Sequence, residues 1–480
     1  MIDLTIDGRP ICVAAGTTVM EAARQLGITI PSMCHNGDLP HFTSCMICLV
    51  KNLNNNKLIT SCSVAATSGM QIITLDDEIR EARKTAVELL LSDHVGDCQS
   101  PCQISCPAHM DIPAMNKMLE KGAFDDAYRI VLEDIALPII LGYICPAPCE
   151  SACRRKAADQ SVSICLLKRF AGEQEAQPGV TEIVAPSKAR VAIIGSGPHG
   201  LSAAWYLQRM GYSCTVFDTN PLPGGALRYS IPRERLPEAV LDREIARIKL
   251  SGVEFEMDSE IGPLQIKELE DEYDAVVYPL DKAPKMAVKA CVQGKEDAWK
   301  VHQWLTGKPV TGLPHGFSSR FGRLQEPEVA EYMKESHPSQ RLEPAGGFLQ
   351  GFTRQEAMEE AARCWHCECR KPNDCLLRIY ANEYGADQKH YSDSSRKRVS
   401  KQWQHDRVVY EPQKCIKCGI CVRMTKQYEE PFGLTFIGRG FDVMIGVPFS
   451  ATLRDGLTHS AEAVVNACPT GALAFKGEKS

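Results

Sequence analysis

The chain has 480 residues, 44% of them apolar, with a formal net charge of −6 and a pI near 6.1. That length exceeds what one core fills, so several domains are expected, and the mild acidity supplies no basic field, which argues against nucleic acid as a partner. Twenty-two cysteines, an N-terminus without a charged-then-apolar leader, and no apolar stretch longer than IALPIILGYI (135–144) point to a cytoplasmic metal-binding protein with no membrane insertion.

Short alternating stretches in MIDLTIDGRPICV, CLVKNL, KLITSCSV and MQIITL predict strands, and TTVMEAARQLG an amphipathic helix, in a small α+β unit over residues 1–78. Cys34, Cys45, Cys48 and Cys62 fall inside it. Four thiolates of this kind suit a [2Fe-2S] cluster, and a zinc ion as well. GTTVMEAARQLGITIPSMC, SCMICLV and KLITSCSVAATSGMQIIT together resemble the N-terminal β-grasp ferredoxin domain of the large iron-sulfur subunit of respiratory complex I and of multimeric iron hydrogenases. The resemblance implies [2Fe-2S].

Residues 79–175 are expected to form a helical domain. DHVGDC carries His94 and Cys98 at the His-x3-Cys spacing by which the complex I family ligates a [4Fe-4S] cluster. From Pro101 onward, PCQISCPAHMDIPAMNKML, ICPAPCESACRR and VSICLLKRF resemble the helical domain of the glutamate synthase small subunit and of dihydropyrimidine dehydrogenase, which holds two [4Fe-4S] clusters. Carried over, Cys98, Cys102 and Cys153 with His94 would serve one cluster, and Cys106, Cys145 and Cys149 the other. A relative uses a non-cysteine fourth ligand near the position of Lys168. Lysine cannot ligate while protonated, and Cys165, one helical turn earlier on the same face, is the expected replacement.

EQEAQPGVTEIVAPSK reads as a linker, placed at 176–187. In 188–307, ARVAIIGSGPHGLSAAWYLQRMGYSCTVFD gives an apolar strand, a Gly-rich turn, a helix and a second strand ending in an acid. Gly195 makes the tight turn, Gly197 lets backbone approach a pyrophosphate, Gly200 permits helix–sheet packing, and Asp218 stands where a ribose hydroxyl is bound. PLPGGALRYSIPRERLP, with Gly224, Gly225 and Arg228, resembles the flavin-binding stretch of the glutamate synthase family and assigns FAD to the fingerprint. The chain then runs from YDAVVYPLD directly to KAPKMAVKACVQGKEDAWKVHQWLTG, as though the family's NADPH domain were absent. Asp281 would meet the flavin ribityl chain, but Tyr278, Pro279 and Leu280 replace the family's glycines before it, which leaves a flavin-free scaffold as the alternative.

Residues 308–355, rich in Gly, Pro, His and Ser, are expected to be an extended connector. A helix and a four-cysteine site follow in 356–390: Cys364, Cys367, Cys369 and Cys375 could bind [4Fe-4S] or structural zinc. SSRKRVSK reads as a solvated face or docking patch. In 391–480, CIKCGICVRMT and ACPTGALAF resemble a bacterial ferredoxin reduced to one cluster. Thr425 stands for one lost cysteine, leaving Cys415, Cys418, Cys421 and Cys468 as the [4Fe-4S] ligands. Cys12, Cys214 and Cys291 lie outside these groups and read as small buried hydrophobes.

The expected architecture is multidomain α+β and α/β: a β-grasp [2Fe-2S] ferredoxin, a helical two-[4Fe-4S] domain, a truncated Rossmann-like FAD domain and a C-terminal ferredoxin-like domain. The expected cofactors are one [2Fe-2S], three to four [4Fe-4S], FAD, and either iron-sulfur or zinc at Cys364–Cys375. These parts predict an electron-transfer subunit of a multisubunit NAD(H)-linked oxidoreductase. Its partners would be NADH-oxidising flavin/iron-sulfur subunits and a hydrogenase- or formate dehydrogenase-type catalytic subunit, with electron bifurcation permitted. The alternatives are a self-contained NAD(P)H-dependent reductase like the glutamate synthase small subunit, and a structural hub with a vestigial flavin domain.

Overall fold

The computed structural model describes residues 1–37, 39–174, 189–282, 284–308, 316–392 and 395–477, so the linker expected at 176–187 lies outside the described residues. In chain order the first strands and helices are β1 (Ile2–Ile6), β2 (Arg9–Val13), α1 (Val19–Gln25), β3 (Leu49–Asn52), β4 (Lys57–Thr60), β5 (Gln71–Ile73) and α2 (Asp77–Ser92). Six helices follow: α3 (Pro101–Ser105), α4 (Ile112–Glu120), α5 (Phe124–Asp134), α6 (Pro138–Ile144), α7 (Pro148–Ser151) and α8 (Ile164–Glu173). Then come β6 (Arg190–Ile194), α9 (Pro198–Arg209), β7 (Ser213–Phe217), α10 (Ala226–Tyr229), α11 (Glu238–Leu250), β8 (Glu254–Glu256), α12 (Pro263–Glu272), β9 (Ala275–Val277) and α13 (Ala287–Thr306). The C-terminal part holds α14 (Glu326–Met333), α15 (Arg354–Ala361), α16 (Leu376–Glu383), β10 (Val408–Tyr410), α17 (Ile420–Gln427), β11 (Thr435–Ile437), β12 (Met444–Gly446), α18 (Leu453–Gly456), α19 (Ala461–Ala467) and β13 (Leu473–Phe475).

Two compact units share the chain discontinuously. The first comprises Met1–Gln99, His315–Glu331 and Glu368–Ser480, the second Ser100–Pro314 and Tyr332–Cys367. The expected helical domain is therefore divided between Gln99 and Ser100, and the four-cysteine segment between Cys367 and Glu368.

In the first unit β2-β1-β5-β3-β4 form one mixed sheet. Asp7 and Gly8 both have positive φ (50° and 73°) between β1 and β2, as a two-residue hairpin with the sheet's twist requires. Alternation buries Leu4, Ile6 and Val13 against Val19 and Ala23 of α1, whose N-terminus is closed by a Thr18–Glu21 capping box. A second core of this unit joins the Cys34–Cys45 loop, α2, α16, α17 and α19 through Met33, Val87, Leu377, Ile420 and Val464. The antiparallel pairs β10–β13 and β11–β12 complete the C-terminal part.

The second unit packs α4–α8 and α15 around Met115, Leu119, Leu141, Leu167 and Ala357, in one apolar core with the Rossmann-like half. That half is a parallel sheet in the order β8-β7-β6-β9. Gly200 of α9 lies so close to β6 that a Cβ would strike the Gly195 carbonyl oxygen. Gly294 of α13 likewise meets the backbone of His199 on α9.

Three expectations change. The connector at 308–355 contains α14, and its Glu328, with a side chain only 1% exposed, pairs with Arg396 at 2.5 Å. Arg396 therefore does not belong to a solvated basic face; Lys397 is paired with Asp93 and Lys401 is buried. Cys12 is exposed, because it sits on the outward register of the edge strand β2, whereas Cys214 and Cys291 are buried as expected.

Candidate iron-sulfur sites and nucleotide cradle

The thiols of the N-terminal domain converge. Cys48 Sγ lies 3.3 Å from Cys62 Sγ, and Cys34 is hydrogen-bonded to both Cys45 and Cys62. Backbone amides point at the same sulfurs, Met33 N to Cys45 at 3.4 Å and Ser44 N to Cys34 at 3.4 Å. The hydrogen bond shared with Cys62 lowers the Cys48 thiol below its ordinary value against the cost of burial. A tight, amide-lined thiol quartet is the donor set a [2Fe-2S] cluster needs. In the C-terminal part Cys415, Cys418, Cys421 and Cys468 line one small pocket with Tyr410, Ile420, Ile445 and Leu473. Lys417 N donates to Cys415 Sγ at 3.3 Å. Thr425 does other work: its hydroxyl donates to Val422 O and accepts from Leu434 N at 3.0 Å, fixing the approach to β11.

In the helical part of the second unit, Cys145 is hydrogen-bonded to Cys165, and Cys165 also to Cys149. The bond to Cys145 lowers the Cys165 thiol, but the bond to Cys149 and burial carry it up to about 12. Cys106 shares this neighbourhood with Cys145 and Lys168. Lys168 is 4% exposed; burial disfavours its charge, yet Cys165, Cys145, Cys149 and Cys106 together hold its pKa up to about 12. Cys165 thus stands among the three cysteines it was expected to join.

The remaining thiols are gathered differently from the expected sets. Cys367 is raised well above its ordinary value, first by burial and then by Cys364, Cys153 and Cys102, all in the second unit. Ser100 Oγ lies 3.1 Å from Cys102 Sγ. The chain there is fixed by Arg155, whose guanidinium donates to His337 O (3.1 Å), Arg363 O (3.0 Å) and Ser336 Oγ (3.0 Å). It thereby ties the segment after Cys153 to the segment before Cys364.

Cys98, Cys369 and Cys375 belong to the first unit. Cys369 N donates to Cys98 O at 3.2 Å, and Cys375 is pushed up to about 12 by burial and then by Cys369 and Cys98. Ser319 Oγ lies 3.2 Å from Cys98 Sγ, and its amide points at the same sulfur at 3.4 Å. His94 is buried, and its ring bonds the backbone of Lys414 while Nδ1 has no hydrogen-bond partner among the described residues. Burial, then the Lys414 ammonium, lowers its pKa to about 4, keeping the ring neutral as ligation requires. Lys414, paired with Glu411 at 2.9 Å, also senses Cys369. The thiols that act on Cys367 are thus Cys364, Cys153 and Cys102, and those that act on Cys375 are Cys369 and Cys98. Sequence spacing carried no signal for Ser319, Arg155 or Lys414.

At the Rossmann turn Gly195 has φ 97°, and nothing lies within 4 Å of where a Gly197 Cβ would stand, which leaves an open cradle at the N-terminus of α9. Gly225 packs directly on Gly197. This phosphate side fits a dinucleotide. The ribose side differs from expectation. Asp218 accepts from Ser196 N (2.7 Å), Ser196 Oγ (2.5 Å), Asn220 N (2.9 Å) and Asn220 Nδ2 (2.7 Å), which fills a carboxylate's usual four acceptor directions. Arg228 is buried and paired with Glu238 and Asp242. Asp281 is exposed after β9, and Tyr278 bonds Glu270.

Four family models match the chain. They are a 2Fe-2S iron-sulfur cluster binding domain (1–77), the 4Fe-4S cluster domain II of dihydropyrimidine dehydrogenase (79–180), an NAD(P)-binding Rossmann-like domain (193–250), and the ferredoxin-like domain of NADH-quinone oxidoreductase subunit 3 (406–474). The chain is thus a multidomain iron-sulfur protein with a Rossmann-like nucleotide-binding domain, related in parts to subunits of oxidoreductases.

The particular relatives are these. The NADPH-Fe(3+) oxidoreductase subunit beta of Geobacter sulfurreducens is 39% identical over 165 residues, 33% of this chain and 25% of that protein. The NADP(+)-dependent formate dehydrogenase subunit beta of Moorella thermoacetica is 37% identical over 184 residues, 33% of this chain and 26% of that one. The glutamate synthase [NADPH] small chain of Bacillus subtilis is 34% identical over 172 residues, 33% and 35% respectively. The chain spans about a quarter of the length of the first of these relatives. An NAD+-reducing [NiFe]-hydrogenase structure aligns over 99% of this chain and 87% of its own, at 13% identity and a TM-score of 0.39. No helix among the described residues is long and apolar enough to cross a membrane.

Proposed function

We propose that this chain is an electron-transfer subunit of a multisubunit NAD(H)-linked oxidoreductase. The observation that carries the reading is the convergence of Cys34, Cys45, Cys48 and Cys62 in one thiol set and of Cys415, Cys418, Cys421 and Cys468 in another. Cys34, Cys45, Cys48 and Cys62 would hold [2Fe-2S]. Four sets would hold [4Fe-4S]: Cys415, Cys418, Cys421 and Cys468; Cys106, Cys145, Cys149 and Cys165; Cys102, Cys153, Cys364 and Cys367; and His94, Cys98, Cys369 and Cys375. Such clusters exchange single electrons without bond making at the protein, and hydrogen bonds and burial set their potentials. Against a single zinc site at Cys364–Cys375 stands the division of that segment between the two compact units after Cys367.

The cradle at Gly195, Gly197 and Gly225 would bind the phosphates of FAD, with the ribose contacts made elsewhere than at Asp218. The partners would be an NADH-oxidising flavin/iron-sulfur subunit and a hydrogenase- or formate dehydrogenase-type catalytic subunit in the cytoplasm. Anaerobic purification of the full chain with its native partners tests this reading. The expected result is about 18 irons per chain, one [2Fe-2S] and four [4Fe-4S] signals, and co-purifying catalytic and NADH-oxidising subunits. Zinc in place of iron, or a chain purified without partners, would sink it. The match to an NAD(P)-binding Rossmann-like model favours direct reduction by NAD(P)H as the second reading. Rapid bleaching of the chain alone by NADH or NADPH would select it.

A further inference from the structure

The [2Fe-2S] loop and the C-terminal ferredoxin-like part belong to one unit and one apolar core, in which Cys34 and Cys45 pack with Cys418 and Cys421. One side chain joins their ligands. Arg423, on the first turn and a half of α17, donates from a single nitrogen, Nη2, to Cys34 O at 2.9 Å and to Cys418 O at 3.2 Å. Its Nη1 donates to Pro40 O in the cluster loop, and its Nε to Gly419 O at 3.1 Å.

The guanidinium also lies 5.7 Å from the Phe42 ring, and Phe42 stacks on Phe436 with centroids 5.6 Å apart. Gly419 has φ 69°, and a Cβ there would stand 3.4–3.5 Å from Phe436 and Phe42, so the two rings close over the ligand turn. The loop 39–43 and the turn 418–423 are therefore clamped by one cation and one aromatic pair. A rigid fork that bonds several carbonyls at once is a task for arginine and not for lysine.

We propose that Arg423 is a positioning residue for electron exchange between the [2Fe-2S] site and the C-terminal [4Fe-4S] site. It supplies a hydrogen-bonded bridge between them, Cys34 C=O to Nη2 to Cys418 C=O. One electron leaves the group held by Cys34 and arrives at the group held by Cys418, or the reverse. No bond breaks and no proton moves. The fixed positive charge favours the reduced, more negative form on both sides, which raises both potentials. The inference rests on the iron-sulfur reading of these eight cysteines.

The test compares full-length Arg423→Leu and Arg423→Gln with the wild-type chain, each with its clusters assembled. The readouts are rapid-freeze EPR of electron redistribution after partial reduction, the spin–spin coupling between the two reduced centres, and both midpoint potentials. With both centres present, the expected result is at least a tenfold slower redistribution and weaker coupling, with both potentials shifted negative. Unchanged redistribution and potentials in a variant that retains both centres would overturn the proposal. If the leucine variant loses a centre, Arg423→Gln, which keeps one donor and similar bulk, decides by the same criteria. Phe42→Ala, which leaves the arginine bridge in place, is expected to lower thermal stability with much less effect on transfer; an equal slowing there would also overturn the specific role of Arg423. Failure of either centre to assemble in the wild-type chain refutes the iron-sulfur reading instead, so the two failures are distinguishable.

Discussion

Replacing Arg155 with Met should empty the site proposed at Cys102, Cys153, Cys364 and Cys367. Arg155 is 1% exposed and donates to His337 O, Arg363 O, Ser336 Oγ and both carboxylate oxygens of Asp159, with its guanidinium 5.9 Å from the Trp365 ring. Methionine fills much of the volume but donates nothing. The buried carbonyl of Arg363 then loses this donor, at about 1–3 kcal/mol, and the part-buried bonds to His337 O, Ser336 Oγ and Asp159 are lost at about 0.5–1.5 kcal/mol each, so the net loss should be about 3–5 kcal/mol. For a unit of this size that corresponds to a fall in Tm of roughly 6–20 °C. The segments carrying Cys153 and Cys364 are the two that Arg155 joins, so metal loss should accompany the destabilisation. The assay is calorimetry together with iron analysis and EPR of the full chain. The expected result is loss of about four irons and of one [4Fe-4S] signal, with the [2Fe-2S] signal intact. A variant with full iron and an unchanged Tm would refute the argument.

The regrouping of thiols makes a paired prediction: Cys367→Ser should abolish the same EPR signal as Cys153→Ser, and Cys369→Ser the same signal as Cys98→Ser. Loss of one common signal from Cys367→Ser and Cys369→Ser would restore a single site in that segment. Lys168→Met removes a buried positive charge beside Cys106, Cys145, Cys149 and Cys165, and should shift one [4Fe-4S] midpoint potential negative. At an effective dielectric constant of about 20 and a separation of about 7 Å the effect is roughly 2 kcal/mol, on the order of 100 mV. An EPR-monitored redox titration with no shift would contradict it. Glu430 accepts from Thr458, His459 and Ser460, and although burial opposes it, these bonds lower its pKa to about 2. A depressed carboxyl stabilises the fold above its unfolded pKa of about 4.3 and loses that contribution as pH falls through about 2. Glu430→Gln should therefore lower Tm at pH 7, and the difference should shrink between about pH 4.5 and 2. A constant difference in Tm across that range would count against it.

Short-range signals were legible in the chain itself. Alternation and helical periodicity gave the strands β1–β5 and the helix α1, because each depends only on neighbours a few residues apart. Cys415 with Cys418 and Cys421 were identified as a group because short loops force such ligands together, whereas Cys34, Cys45, Cys48 and Cys62, with gaps of ten and thirteen residues among them, were assigned to [2Fe-2S] by the resemblance. The fingerprint at Gly195, Gly197 and Gly200 likewise located the turn before α9. Asp218 was legible as the acid ending β7, but not its capture by Ser196 and Asn220, which follows from how two loops close on each other.

Only the tertiary structure decided which distant cysteines meet. Spacing makes Cys364, Cys367, Cys369 and Cys375 look like one site, yet the two compact units divide between Cys367 and Cys369, as they do between Cys98 and Cys102. The sequence determines which residues are ligand-type and roughly which loops hold them. Their pairing across long separations is set by buried cores and by side chains such as Arg155, Ser319 and Arg423, whose partners are fixed by packing and leave no periodic trace.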